Sequence, residues 1–232
     1  MRLPLRRWLP LAILLLGLAA FFAFGLNRQL SFETLSRNEA EIRGWVAANR
    51  VGAAVAYIIA LAAVMAFALP AAALMTAISG FLFGIWLGAA LTVVGATMGG
   101  IALFTAARSA FQDIFRLRAG AALPRLEEGF RRDSFSYVLF LRFIPLFPSW
   151  LVTIVAALLG MKPGRFVLAT VLGSIPGSVV FASIGADFGQ LFKNAQTPDL
   201  GAIFQAQTLL PLLGLAILSL LPVLYRRWRR RP

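Results

Sequence analysis

The chain has 232 residues, 60% of them hydrophobic and only 13% charged, which excludes an ordinary soluble domain and indicates a polytopic membrane protein. The formal net charge is +13, but the basic residues sit at the flanks of apolar runs. That is the pattern of positive-inside anchoring, so no nucleic-acid partner is expected. There is no cysteine and no histidine, which removes disulfides, thiolate nucleophiles, imidazole metal sites and serine–histidine catalysis. The Gly173–Ser174 pair is therefore not a nucleophile motif, and neither an enzyme nor a metal or other cofactor is expected.

Residues 1–50 read as an anchor followed by a surface segment. Arg2, Arg6 and Arg7 precede an 18-residue uncharged run, Leu9 to Leu26, long enough to span a bilayer. A signal peptide would also begin this way, but the apolar core is longer than usual and no convincing cleavage site follows. The run is taken as an uncleaved anchor with a cytoplasmic amino terminus. In Asn27 to Arg50, the spacing of Ile42, Trp45 and Val46 predicts a helix on the outer interface, its glutamates solvated.

Residues 51–189 form the main membrane domain. Val51 to Ala107 holds no charge in 57 residues, nearly three passes, divided by Pro70. Gly80, Gly84 and Gly88, then Gly95 and Gly99, recur at four-residue spacing, which lets helix backbones approach closely. Arg108 to Asp133 reads as a charged loop with six arginines, part of it helical on the membrane surface. Arg108 has two readings, a side chain that snorkels to the headgroups or a contact to lipid phosphate.

The central stretch, Ser134 to Met161, has 28 residues, and Arg142 is its only charge. A guanidinium at the bilayer centre costs at least ~3 kcal/mol. Pro145 and Pro148 follow at once, and each removes a backbone donor. Broken backbone at membrane depth is tolerated only when buried in protein or lining a cavity. A polar site centred on Arg142 is the expectation; the bland alternative is a snorkelling arginine on a proline-kinked span. A short loop, Lys162 to Arg165, leads into an uncharged span, Phe166 to Ala186, carrying Gly173, Pro176 and Gly177. Residues 190–232 contribute the last span, Leu209 to Tyr225, and a basic tail.

Arginine counting fixes a topology. If the central stretch enters the membrane and turns back at its prolines, 16 of the 22 Lys and Arg lie inside and 5 outside, with Arg142 in the membrane. Both termini are then cytoplasmic, on an inner membrane. Pro70, Gly84 and Gly100 follow one another at steps of 14 and 16; Pro145, Gly160 and Gly177 do so at 15 and 17. The expected fold is all-α: an inverted repeat of two opposed re-entrant helical hairpins, each followed by a transmembrane helix, plus flanking transmembrane helices.

The segments FLFGIWLGAALTVVGATMGGIALFTAAR, FLRFIPLFP and VLGSIPG make the chain resemble the DedA superfamily, also called the VTT-domain or SNARE-associated Golgi protein family. The similarity runs from Ala68 to Gly189 and is nearest to bacterial relatives of the yeast Golgi vesicle protein. It implies the same opposed hairpins, a bacterial inner membrane, and an activity that moves phospholipids or polyprenyl phosphates between leaflets. The matching positions are Arg142, Pro145 and Pro148; Gly84, Gly95 and Arg108; and Gly173, Pro176 and Gly177. Bacterial members place acids in or near the first hairpin for proton coupling. Here the nearest acids, and so the candidates for ion coupling, are Glu39 and Glu41 before it and Asp187 far downstream, and with none in the hairpin a passive scramblase gains weight.

A guanidinium suits a phosphate headgroup through charge-assisted, bidentate bonding. Half-helix amino termini at Pro70 and Pro148 would add positive dipole ends. Expected partners are lipids with phosphate headgroups; self-association of the chain stays open. Two other functions compete: a transporter for a small anion or other solute using the same cleft, and a membrane scaffold in which Arg142 is structural.

Overall fold

The structure, a computed structural model, describes residues 39–118, 123–144 and 147–187, with seven further residues between 210 and 220. The predicted anchor at Leu9 to Leu26, the basic tail and Pro145 lie outside the described residues. Among the described residues the helices before residue 188 are, in order, α1 (Glu39–Ala48), α2 (Arg50–Ala66), α3 (Ala72–Phe83), α4 (Ile85–Arg118), α5 (Leu123–Phe143), α6 (Ser149–Leu158) and α7 (Pro163–Ala186). Among the described residues, Ile85–Ala110 and Pro163–Ala186 are each long and apolar enough to cross a membrane, and the bent α1–α2 pair would make a third span. The chain is thus all-α and multi-pass. The 12-residue α3 and 10-residue α6 reach only about 15–18 Å, roughly half of a hydrocarbon core.

The breaks fall where local chemistry puts them. α1 meets α2 at 112° across Asn49. Ile42 of α1 packs beside Ala77 and Phe81 while Trp45 stays exposed. α2 ends with Ala68 in the left-handed region (φ 55°), its N–H bonded to the Met65 carbonyl and the Leu69 N–H to the Val64 carbonyl. That bonding is a Schellman ending, usually built on glycine, and Pro70 then bars the helix from resuming. α6 ends the same way on Gly160 (φ 72°), with Gly160 N–H to the Ala157 carbonyl and Met161 N–H to the Ala156 carbonyl. α3 ends on Gly84, at φ 77° and ψ 173°, a conformation essentially reserved for glycine. Both predicted glycine joints therefore carry positive φ.

Two expectations need correcting. Arg108 to Asp133 is not a loop: α4 continues to Arg118 and α5 starts at Leu123. Charge is no helix breaker, and neither Gly nor Pro occurs between Ile101 and Arg118. The charged start of α5 is set off from its apolar end by a kink at Asp133 (φ −121°, ψ 22°). Nor is Lys162 to Arg165 a loop, because Lys162 caps α7 and Pro163 opens it, where a missing N–H costs nothing.

The sequence long helix, short helix, long helix occurs twice, as α2–α3–α4 and α5–α6–α7. Each short helix packs on the long helix that closes the other set, α3 on α7 and α6 on α4, while α4 and α7 pack on each other. Small residues allow the approach. A Cβ on Gly80 would strike the Ala182 backbone, and one on Gly185 the Ala77 backbone. Gly99 lies likewise against the Ala62 carbonyl, and Gly95 sits over Ile58 and Leu61. Phe104, Val152, Ala156, Met161 and Phe166 form one apolar core; Tyr57, Leu61, Met65, Leu69 and Met75 form a second. Leu168, Leu172 and Ile175 of α7 remain exposed, an apolar face suited to lipid.

Candidate site around Arg142

Arg142 lies one residue before the end of α5, where the helix gives way to Ile144 and the proline segment. Its side chain runs along α7. A Cβ on Gly173 would come within 2.8 Å of Arg142 Cβ and 3.0 Å of Cδ, so only glycine leaves it this path. Its Cζ stands 5.6 Å from the centroid of the Phe166 ring, within cation–π range. Phe166, Thr170 and Gly173 are spaced at four and three residues, one face of α7. Arg142 Nη2 donates to Thr153 Oγ1 on α6 at 3.3 Å, and that hydroxyl donates its own proton to the Ser149 carbonyl at 2.8 Å. The threonine proton is thus committed to its own helix, leaving a lone pair for the guanidinium.

The set is incomplete. Arg142 Nε is buried without a hydrogen-bond partner, as is Thr170 Oγ1. A buried unpaired donor on a charged group is costly, and in native proteins it calls for an explanation. The guanidinium is held by protein on several sides and not fanned into solvent, which disfavours the snorkelling alternative.

A cavity of about 370 Å³ opens beside it, and among the described residues Arg142 is the only charged one in its wall. The amino-terminal ends of both short helices line it, through Ala72 and Ala73 of α3 with Pro70 just before it, and Ser149 and Trp150 of α6 with Pro148 at its cap position. Neither helix has a side-chain cap at its amino terminus. The first backbone N–H groups of a helix have no intrahelical acceptor, and the dipole makes that end positive. One cavity thus collects a guanidinium and two uncapped helix amino termini, all attracting an anion. Among the described residues no carboxylate lines it, and neither Val51–Ala107 nor Ser134–Ala186 contains an acid.

Of the residues singled out from sequence, Arg142, Pro70, Pro148, Gly173 and Gly177 come together at this cavity. Pro145 lies outside the described residues. Arg108 is elsewhere: its Nη1 donates to the Met161 carbonyl at 3.2 Å, tying α4 to the turn after α6. Glu41 and Asp187 are exposed, and neither lines the cavity. Glu39 opens α1. Among the described residues no group of three or more Asp, Glu, His or Cys is placed to hold a metal.

Sequence reasoning missed the polar partners. Thr153 and Thr170 were invisible inside apolar runs, although the spacing of Phe166, Thr170 and Gly173 on one helical face was there to be read. A second polar cluster joins the other set of helices: Tyr57 Oη donates to the Met75 carbonyl (3.2 Å), lies 2.7 Å from Thr92 Oγ1, and Thr92 meets Ser79 Oγ at 3.1 Å. Thr92 and Thr76 also line the cavity.

Comparison with known proteins places the chain in context. A family model described as the VTT domain matches residues 69–187. The uncharacterized protein YqeD of Bacillus subtilis (strain 168) is 35% identical over 118 residues, 50% of this chain and 57% of that protein. A transmembrane protein 41 homolog of Dictyostelium discoideum is 27% identical over 167 residues, 70% of this chain and 48% of the relative. The transmembrane protein 41 homolog of Caenorhabditis elegans is 25% identical over 164 residues, 69% and 64% of the two chains. The matches span about half to under two thirds of the length of these relatives. No solved structure matches.

Proposed function

The chain belongs to the VTT-domain family, and from that premise and the Arg142 cavity we propose that it moves lipids with phosphate headgroups, phospholipids or polyprenyl phosphates, between the leaflets of a bacterial inner membrane. The observation that carries this reading is a half-buried guanidinium whose Nε is buried and unpaired, set in a cavity that no acid lines among the described residues, between two uncapped helix amino termini. A headgroup phosphate meets a large desolvation barrier in hydrocarbon. Charge-assisted bonds from Arg142 and backbone N–H groups at both helix ends offset that barrier while the acyl chains stay in lipid.

In this reading the two helix sets are an inverted repeat, with α3 and α6 as the inner arms of opposed re-entrant hairpins. The Gly84 and Gly160 joints and the crossed packing of α3 on α7 and α6 on α4 support it. The cavity then lies where the hairpin tips meet, the usual depth of a transport site. Among the described residues no acid lines the cavity to take up a proton, which supports passive transport.

The test is reconstitution. Proteoliposomes carrying an acyl-labelled fluorescent phospholipid should lose inner-leaflet label to an impermeant external quencher faster than empty vesicles, and should show no flux of a small anion. Anion flux without lipid movement would replace this reading with solute transport. Neither activity would leave a structural role for Arg142.

A further inference from the structure

Helix α7 supplies part of the cavity wall and carries two hydroxyls there, Ser174 and Ser178. Gly173, Ser174, Gly177, Ser178 and Phe181 all line the cavity, and they share one face of the helix. Hydroxyls in apolar helices commonly bond back to their own carbonyls, as Ser183 does to Val180 at 2.8 Å. Neither Ser174 nor Ser178 makes such a bond, or any hydrogen bond, among the described residues. Gly177 lies between them with open space where its Cβ would be. Ser174 follows the glycine that seats Arg142, and Ser178 stands one turn on, ~6 Å along the axis.

We propose that Ser174 and Ser178 bind the part of the headgroup beyond the phosphate, and that the site selects a monoanionic phosphodiester with an uncharged polyol substituent over one carrying an ammonium group. This deepens the lipid-translocation reading and rests on it. Two physical arguments carry it. The first is net charge. Arg142 with a monoanionic diester is neutral, whereas Arg142 with a zwitterionic lipid leaves one positive charge in a cavity where, among the described residues, no acid balances it, and an unbalanced charge away from water is costly. The second is hydrogen bonding. The two free hydroxyls give and accept bonds, which matches a polyol and gives nothing to a trimethylammonium. The rings of Phe143, Phe147, Trp150 and Phe181 also face the cavity and would attract an ammonium. That attraction is the competing outcome.

The test uses the full-length protein and three acyl-labelled lipids: phosphatidylglycerol, phosphatidylmethanol (the same charge without hydroxyls) and phosphatidylcholine. Translocation is read in proteoliposomes. Binding is read separately, as thermal stabilisation of the detergent-solubilised protein by short-chain forms of the same lipids. Phosphatidylglycerol should move about tenfold faster than phosphatidylcholine, with phosphatidylmethanol between them. Ser174→Ala/Ser178→Ala should remove the difference between phosphatidylglycerol and phosphatidylmethanol. Equal rates for all three lipids, a preference for phosphatidylcholine, or an unchanged glycerol preference in the double variant would overturn the proposal. If no lipid moves, the translocation reading falls, while the order of thermal stabilisation still decides the selectivity: the predicted order upholds it, and equal shifts overturn it.

Discussion

Gly173→Ala probes the seat of Arg142 without touching its charge. The added methyl would lie 2.8 Å from Arg142 Cβ and 3.0 Å from Cδ, about 1 Å inside ordinary carbon–carbon contact. Arg142 Cβ is fixed to the α5 backbone and cannot swing aside as a side-chain tip would. α5 and α7 must therefore separate by up to ~1 Å, an overpacking cost of about 1–3 kcal/mol. The Arg142–Thr153 bond to α6 is already 3.3 Å long, so a displacement of α5 that carries Arg142 away from α6 breaks it. A hydrogen bond from a charged group contributes about 1.5–3 kcal/mol, which at ~1.4 kcal/mol per decade is a tenfold to hundredfold loss in rate if that geometry is needed for transport. The assay is lipid translocation in proteoliposomes beside thermal unfolding in detergent. Translocation should fall at least tenfold while the protein stays folded. A Gly173→Ala protein with wild-type translocation would refute the argument that α7 sets the position of the guanidinium.

Three further predictions concern the frame. Gly84→Ala meets no steric obstacle, because nothing lies within 4 Å of the new Cβ, yet it should destabilise by about 1–3 kcal/mol through its backbone angles alone, read as a lower unfolding temperature. Ala68→Gly should do the reverse, since an alanine at φ 55° carries ~1–2 kcal/mol of left-handed strain, partly offset by the greater freedom of an unfolded glycine; a net gain of roughly 0.5–1 kcal/mol in a denaturation series is expected. Gly185→Ala drives a methyl into the Ala77 backbone and should loosen α3 from α7, visible as a larger destabilisation than Gly173→Ala in the same unfolding assay.

Much of this architecture was legible because its joints are made by residues whose backbone chemistry is local. Pro70 and Pro148 mark breaks that any reader of the sequence would place, and Gly84 and Gly160 occupy positions that require positive φ. Arg142 announced itself as a lone charge in an apolar run. Features that depend on contacts between distant residues were hidden. The bond from Arg108 to the Met161 carbonyl joins residues 53 apart, and its arginine looked like a headgroup anchor. Thr153 is one hydroxyl in an apolar helix, and only the fold shows that its proton is committed to the Ser149 carbonyl and its lone pair to Arg142. The charges that follow Ala107 suggest a loop, yet neither Gly nor Pro occurs between Ala107 and the end of α4 at Arg118. Ala68 ends α2 where a glycine would have signalled the turn.

The measurement that bears most directly on the account is lipid translocation by Arg142→Ala and Arg142→Lys proteins, reconstituted at matched density after each is shown to insert and fold. The alanine variant should fall to the rate of protein-free vesicles. The lysine variant should retain a fraction of wild-type activity, keeping the charge but not the planar fork. Wild-type rates from a correctly inserted Arg142→Ala protein would contradict the claim that this guanidinium carries the phosphate across.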